Sequence, residues 1–96
     1  MEKIMTISLV FESKEEGTVM VGTDKELDQL THPEIKKMIG EKILVKRTDN
    51  REIPLQVSSV QISTSMADKK NIGICVGKAI SPEEIKIGST IYRNQD

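Results

Sequence analysis

Residues 52–63 read Glu52-Ile53-Pro54-Leu55-Gln56-Val57-Ser58-Ser59-Val60-Gln61-Ile62-Ser63. Ile53, Leu55 and Val57 alternate with other residues, the period-two signature of a half-buried strand. Val60 and Ile62 alternate as well, but one residue out of phase. The Ser58-Ser59 pair stands at the change, which predicts a β-bulge or bend that re-aims the strand. Pro54 has no N–H for a ladder, which implies an edge position or a local irregularity.

The sequence around this stretch has the same character. Thirteen Ile and seven Val in 96 residues favour strands over helices. Residues 4–11 alternate, with Met5, Ile7, Leu9 and Phe11 on one face and Thr6, Ser8 and Val10 on the other. Residues 12–17 are polar and end in Gly17, which suits a hairpin turn into a second short strand over 18–21, closed by Gly22. A third strand is expected over 42–47, followed by a turn at Asp49-Asn50. A fifth covers 71–77, with Ile72, Ile74 and Val76 inward and Cys75 outward. Ser81-Pro82-Glu83-Glu84 is a capping signal for one helical turn. Gly88 opens a last strand that runs through Ile91 to Arg93.

Residues 23–40 differ from the rest. Leu27 and Leu30 lie three apart, and Ile35, Met38 and Ile39 recur at helical spacing. Thr31 or His32 can cap a helix with Pro33 in its first turn, and Gly40 can end it. One or two short helical pieces on a long connection are expected there. Six short strands, this connection and one core predict a mainly β domain over 1–96: a small closed six-stranded β-barrel, whose closure would remove exposed edges.

Composition narrows the function classes. Fourteen Lys and Arg against fifteen Asp and Glu give a net charge of −1, which argues against unselective polyanion binding. Phe11 and Tyr92 are the only aromatics, fewer than a base-stacking protein usually carries. One Cys excludes an intrachain disulfide and a cysteine-based zinc cluster. No apolar run approaches ~18 residues, so no membrane span is expected. The first residues lack the small-residue cleavage site of a signal peptide, and the cytoplasm is the expected compartment.

The second half carries a resemblance. Val57-Ser58-Ser59-Val60-Gln61-Ile62, a turn, Asn71-Ile72-Gly73, a strand, then Ser81-Pro82-Glu83-Glu84-Ile85-Lys86-Ile87-Gly88 resembles the closing half of domain II of elongation factor Tu and its relatives. In the first half, residues 7–11, a charged turn, Gly17-Thr18-Val19 and Gly22 look like that family's opening strand, hairpin and Gly-Thr-Val strand. Ile39-Gly40-Glu41 stands where the family has a glycine turn before its third strand. The resemblance spans residues 4 to about 92 and implies a translation-factor domain II barrel. A barrel would need most of these residues whatever it bound.

The departures bear on function. In translational GTPases this domain follows a nucleotide-binding domain. Here Gly73-Ile74-Cys75-Val76-Gly77-Lys78 has one residue too few between its glycines for a phosphate loop, and Ala79 replaces the magnesium-binding Ser or Thr. No nucleotide and no GTP hydrolysis are expected. In elongation factor Tu the domain helps hold the aminoacylated end of tRNA through a Glu two before a Phe. Gln61 and Ser63 occupy the matching positions; Gln can hydrogen-bond a base edge, but Ser offers no stacking face. Glu16, after Glu15, replaces an Arg common before the Gly-Thr-Val strand, and two carboxylates there repel a phosphate backbone. The turn before Asn71 is Asp68-Lys69-Lys70, where the family favours Gly followed by an acid. The connection over 23–40 is longer than the family's, which suggests a new surface.

The remaining candidates read more plainly. His32, the only His, lacks a second ligand or a recognisable nucleophile and suits a helix start. Cys75 lacks a visible activating base and reads as a small half-buried residue. Glu15-Glu16 and Glu83-Glu84 read as solvated turn charges. Lys46-Arg47 with Arg51, and Lys69-Lys70, are basic clusters that could contact RNA phosphates or serve solubility. The sequence therefore predicts a non-catalytic binding module with no cofactor and no metal. Its expected partner is RNA (tRNA or rRNA) or a translation component. The candidate face combines Glu16, Gly17 and Thr18 with Gln61 and Ser63, with Lys46, Arg47, Lys69 and Lys70 as phosphate contacts. The alternative is a protein–protein adaptor that uses apolar residues of 23–40, such as Leu30 and Met38.

Overall fold

The computed structural model describes residues 2–67 and 69–94. Asp68, expected in the turn before Asn71, lies outside them. The strands are β1 (Lys3–Ser13), β2 (Gly17–Thr23), β3 (Lys42–Lys46), β4 (Glu52–Gln56), β5 (Ser59–Thr64), β6 (Lys70–Gly77) and β7 (Thr90–Arg93). One helix, α1 (His32–Ile39), and single 3-10 turns at Leu27–Gln29 and Pro82–Glu84 complete the described elements. The chain is mainly β, and its strands pair antiparallel in one sheet of order β4-β3-β7-β1-β2-β6-β5.

Seven strands replace the expected six because the stretch over 52–63 serves two neighbours. Its first half, β4, pairs with β3, and its second half, β5, pairs with β6. Val57 and Ser58 lie between them, where the phase of the sequence changes. The Val57 N–H donates to the Glu41 carbonyl at 2.8 Å, and the Ser58 N–H to the Cys75 carbonyl at 2.7 Å. Pro54 faces Leu44 on β4, which ends the sheet order, so its missing N–H breaks no ladder.

β1 departs from strict alternation. Its register against β2 slips between Ile7 and Leu9, so Ile7 faces Gly22 and Leu9 faces Val21. Ser8 is the extra residue, and its hydroxyl donates to the Val21 carbonyl at 3.2 Å. A bulge inverts the facing of every residue after it. Met5 and Ile7 stay buried, whereas Leu9 and Phe11 turn outward at 49% and 43% exposure. Val10 packs toward the core instead. The expectation that Leu9 and Phe11 share the buried face of Met5 and Ile7 is thus corrected.

The core draws on every part of the sheet, with Ile4, Met5, Ile7, Met20, Ile43, Val45, Ile72, Ile74 and Ile91 packed together. Residues 23–40 close over it. Leu27, Ile35 and Ile39 are buried in the same cluster, and Leu30 and Met38 pack against its margin. Burying each such aliphatic side chain stabilises by roughly 1.5–3 kcal/mol. The helix itself starts on a capping box. The Thr31 hydroxyl accepts from the Glu34 N–H at 3.2 Å, and the Glu34 carboxylate accepts from the Thr31 N–H at 3.0 Å. Two contacts from the connection reach across the fold. His32 Nε2 hydrogen-bonds the Thr64 hydroxyl at 3.0 Å, and Asp28 binds Lys70.

Cys75 lies between Val19 and Ser59 on the face opposite Ile74 and Ile72. It is fully buried rather than half-buried and outward-facing to solvent. Ile85 is buried, but Ile87 stands 63% exposed.

Candidate binding faces

The β1–β2 hairpin and β5 meet at one contact. The Ser59 hydroxyl donates to the Glu16 carboxylate at 3.0 Å, joining residues 43 apart in sequence. Ser59, Gln61 and Ser63 alternate along β5 and share its outward side, since Val60 and Ile62 pack on the core. Gln61 and Ser63 are exposed. Their partners on β6 are Gly73 and Asn71, so a bare glycine lies beside Gln61. The structure therefore brings Glu16 to the strand that carries Gln61 and Ser63.

Gly17 and Thr18 have other work. Gly17 lies flat against Gly77, where a Cβ would sit 2.3 Å from the Gly77 carbonyl carbon, and its φ of 76° suits glycine. Thr18 is 1% exposed, and its hydroxyl donates to the Ile80 carbonyl at 2.5 Å. Both tie the hairpin to the connection after β6 and present no side chain to a partner.

In the basic clusters, Arg47 and Lys70 are engaged within the chain. Arg47 pairs with Asp49 at 3.1 Å, and Arg51 approaches the same carboxylate at 3.8 Å. The Arg47 Nε is buried without a hydrogen-bond partner among the described residues. The Lys70 ammonium donates to the Asp28 carbonyl at 2.6 Å, and its N–H to the Asp28 carboxylate at 2.8 Å. Lys46 and Lys69 remain exposed.

The adaptor surface expected over 23–40 is reduced. Leu27, Ile35 and Ile39 form core, and of its Leu, Ile and Met side chains only Leu30 and Met38 reach the surface. They line an open depression of about 390 Å³ with Glu34, Lys37 and Arg93. The Thr31 backbone N–H, and then its hydroxyl, hold the Glu34 carboxyl below the usual glutamate range. That carboxylate is part of the helix cap rather than of a proton-transfer pair.

Sequence reasoning missed the outward turn of Leu9 and Phe11. The slip at Ser8 left no trace because Leu9, Val10 and Phe11 are all apolar. Among the described residues no group of three or more His, Cys, Asp or Glu is placed to hold a metal ion. No described helix is long and apolar enough to cross a membrane. No protein-family model, curated protein or solved structure matches the chain.

Proposed function

We propose that the chain is a non-catalytic binding module built on a closed barrel of the translation-factor domain II type, with RNA or a component of translation as its partner. The barrel reading is supported by β4 and β5 acting as one bent strand. Val57 bonds toward β3 and Ser58 toward β6, so the two ends of the sheet order meet in consecutive residues. The register agrees with closure. From Glu52 the rung passes through Lys46, Thr90 and Thr6 to Thr23. The adjacent rung continues from Gly22 through Ile72 to Ile62. One circuit therefore returns to the same bent strand about 11 residues further on, the stagger that a tilted, closed sheet requires.

The binding reading rests on one observation: Gln61 and Ser63 stand exposed and in line on β5, beside the Glu16–Ser59 contact. Those are the positions at which the resembled family holds the end of tRNA. Gln61 presents both a donor and an acceptor to a base edge. Lys46 and Lys69, both exposed, are the proposed phosphate contacts.

Fluorescence titration of the nucleic-acid-free protein with labelled tRNA and ribosomal RNA fragments, at low and moderate salt, tests this reading. Saturable binding that falls with salt, and weakens with Lys46→Glu or Lys69→Glu, is expected. Absence of binding at low salt, where phosphate attraction is strongest, refutes the RNA partner.

A further inference from the structure

We propose that the depression between α1 and the end of β7 binds a small organic monocarboxylate, with Arg93 and Lys37 on its head group and Leu30 and Met38 along its apolar body. The depression measures about 390 Å³ and is lined by those four residues and Glu34. Arg93 follows buried Ile91 by two residues on β7 and pairs with buried Ile43, so it continues the inward side of the strand to the end of the sheet. Ile35 and Ile39 of α1 join the core there, which brings one side of the helix beside Arg93. Arg93 is half-buried and its Nε is fully enclosed, yet no described residue accepts a hydrogen bond from it or pairs with its charge. An enclosed donor left unpaired is costly, and the planar fork of a guanidinium matches a carboxylate. Glu34 is not its counter-ion. That carboxylate caps α1, where it accepts the Thr31 N–H at 3.0 Å.

The lining selects the occupant. Among the described residues it carries two cations, Lys37 and Arg93, against one carboxylate, Glu34. The charged neighbours in the chain and across the strands are Glu2, Lys3, Lys36, Glu41 and Lys42. All are exposed and outside the lining, three cations and two anions, so they do not cancel the surplus. An anion therefore fits. Glu34 repels a polyanion, and the side chains of Leu30 and Met38 offer a sugar–phosphate backbone no hydrogen bond, which disfavours RNA here. Leu30 and Met38 are half-buried and pack inward on the core, so their outer sides form apolar walls. A bare inorganic ion would leave those walls unused, whereas a monocarboxylate with an aliphatic chain meets both the cations and the walls. None of these side chains is a proposed RNA contact, so the inference goes beyond that reading.

The test is titration of ¹⁵N-labelled protein, free of RNA, with hexanoate, hexanol, acetate and inorganic phosphate. Hexanoate is expected to shift the Arg93 Nε–H resonance and the amides of residues 30–38 saturably. It should bind about tenfold more tightly than hexanol, which lacks the charge for a charge-assisted bond. It should also bind about tenfold more tightly than acetate, which lacks the methylenes that meet Leu30 and Met38. Arg93→Gln should weaken hexanoate about tenfold. Because Arg93 is half-buried, Lys37→Glu on the exposed side of α1 gives a second check and should weaken it as well while leaving the spectrum dispersed. Lack of saturable shifts, shifts confined to other residues, equal affinity for hexanoate and hexanol, or unchanged affinity in both variants overturns the proposal. So does acetate or inorganic phosphate binding as tightly as hexanoate, because the site then reads charge alone.

Discussion

Replacing Thr18 with Val tests whether the Gly17-Thr18-Val19 segment holds the fold or meets a partner. The substitution keeps the side-chain shape and removes the hydroxyl that donates to the Ile80 carbonyl at 2.5 Å. Thr18 and Ile80 are 1% and 7% exposed, so water cannot readily replace the lost donor. An orphaned buried acceptor costs about 1–3 kcal/mol. For a domain near 100 residues, each kcal/mol lowers the thermal midpoint by about 4–8 °C. A loss of about 2 kcal/mol therefore predicts a midpoint about 8–16 °C below wild type. Thr18→Ser is the matching control: it keeps the hydroxyl and removes one methyl, worth about 1 kcal/mol. Far-UV circular dichroism is the assay, since the chain has no Trp. The ordering wild type, Thr18→Ser, Thr18→Val is expected. Thr18→Val within about 0.5 kcal/mol of wild type, or Thr18→Ser the less stable of the two, refutes the assignment. RNA affinity per folded molecule should be unchanged in Thr18→Val, because the residue presents nothing outward.

Gly22→Ala should destabilise by about 2–4 kcal/mol in thermal melts, because its Cβ would lie 2.3 Å from the Thr6 carbonyl oxygen, a backbone atom that cannot move aside alone. Gly73→Ala is the contrast, with its nearest neighbour the Val19 Cγ1 at 3.5 Å, and should shift the melt by less than about 1 kcal/mol. Gln61→Ala should weaken tRNA binding about tenfold, near the low end for a base-edge contact, without moving the melting temperature; unchanged affinity removes Gln61 from the face. Glu34 has a lowered folded pKa from the Thr31 hydrogen bonds, so its charged form stabilises above the unfolded pKa and that contribution is lost as pH falls through the folded value. The midpoint gap between wild type and Glu34→Gln should therefore be widest near neutrality and close on the acid side of the ordinary glutamate range; a gap independent of pH contradicts the cap assignment.

The strands were legible because most bury one face, so their apolar residues alternate. The break at Val57-Ser58 was legible for the same reason: five apolar residues in two phases flank a polar pair. Ser8 makes an equivalent slip, yet Leu9, Val10 and Phe11 place an apolar residue inward in either register. Three consecutive apolar residues carry no phase, and only pairing with β2 decides which face is buried. The capping signal at Ser81, and a helix start at Thr31 or His32, could be read because they are local, and the structure puts the cap at Thr31. Gly17 could not be assigned its contact, since Gly77 is distant in sequence. Asp49 between Arg47 and Arg51 is a local signal of charge neutralisation, since both guanidinium groups approach its carboxylate.

The two irregularities in the sheet have different consequences. At Val57-Ser58 the change of phase keeps Ile53, Leu55, Val60 and Ile62 all against the core, so fold stability alone accounts for it. At Ser8 the slip exposes Leu9 and Phe11, two residues that would gain more by burial. A half-exposed Leu contributes roughly half of the ~2 kcal/mol it would give when buried, and Thr or Tyr would suit an exposed strand position as well. Phe11, however, lies opposite Val19, itself opposite Cys75, and both are buried on that outward side, so an apolar side chain at Phe11 has cross-strand partners. Val10 faces inward in their place, so the core needs the slip, but nothing in the core requires Leu9 and Phe11 themselves.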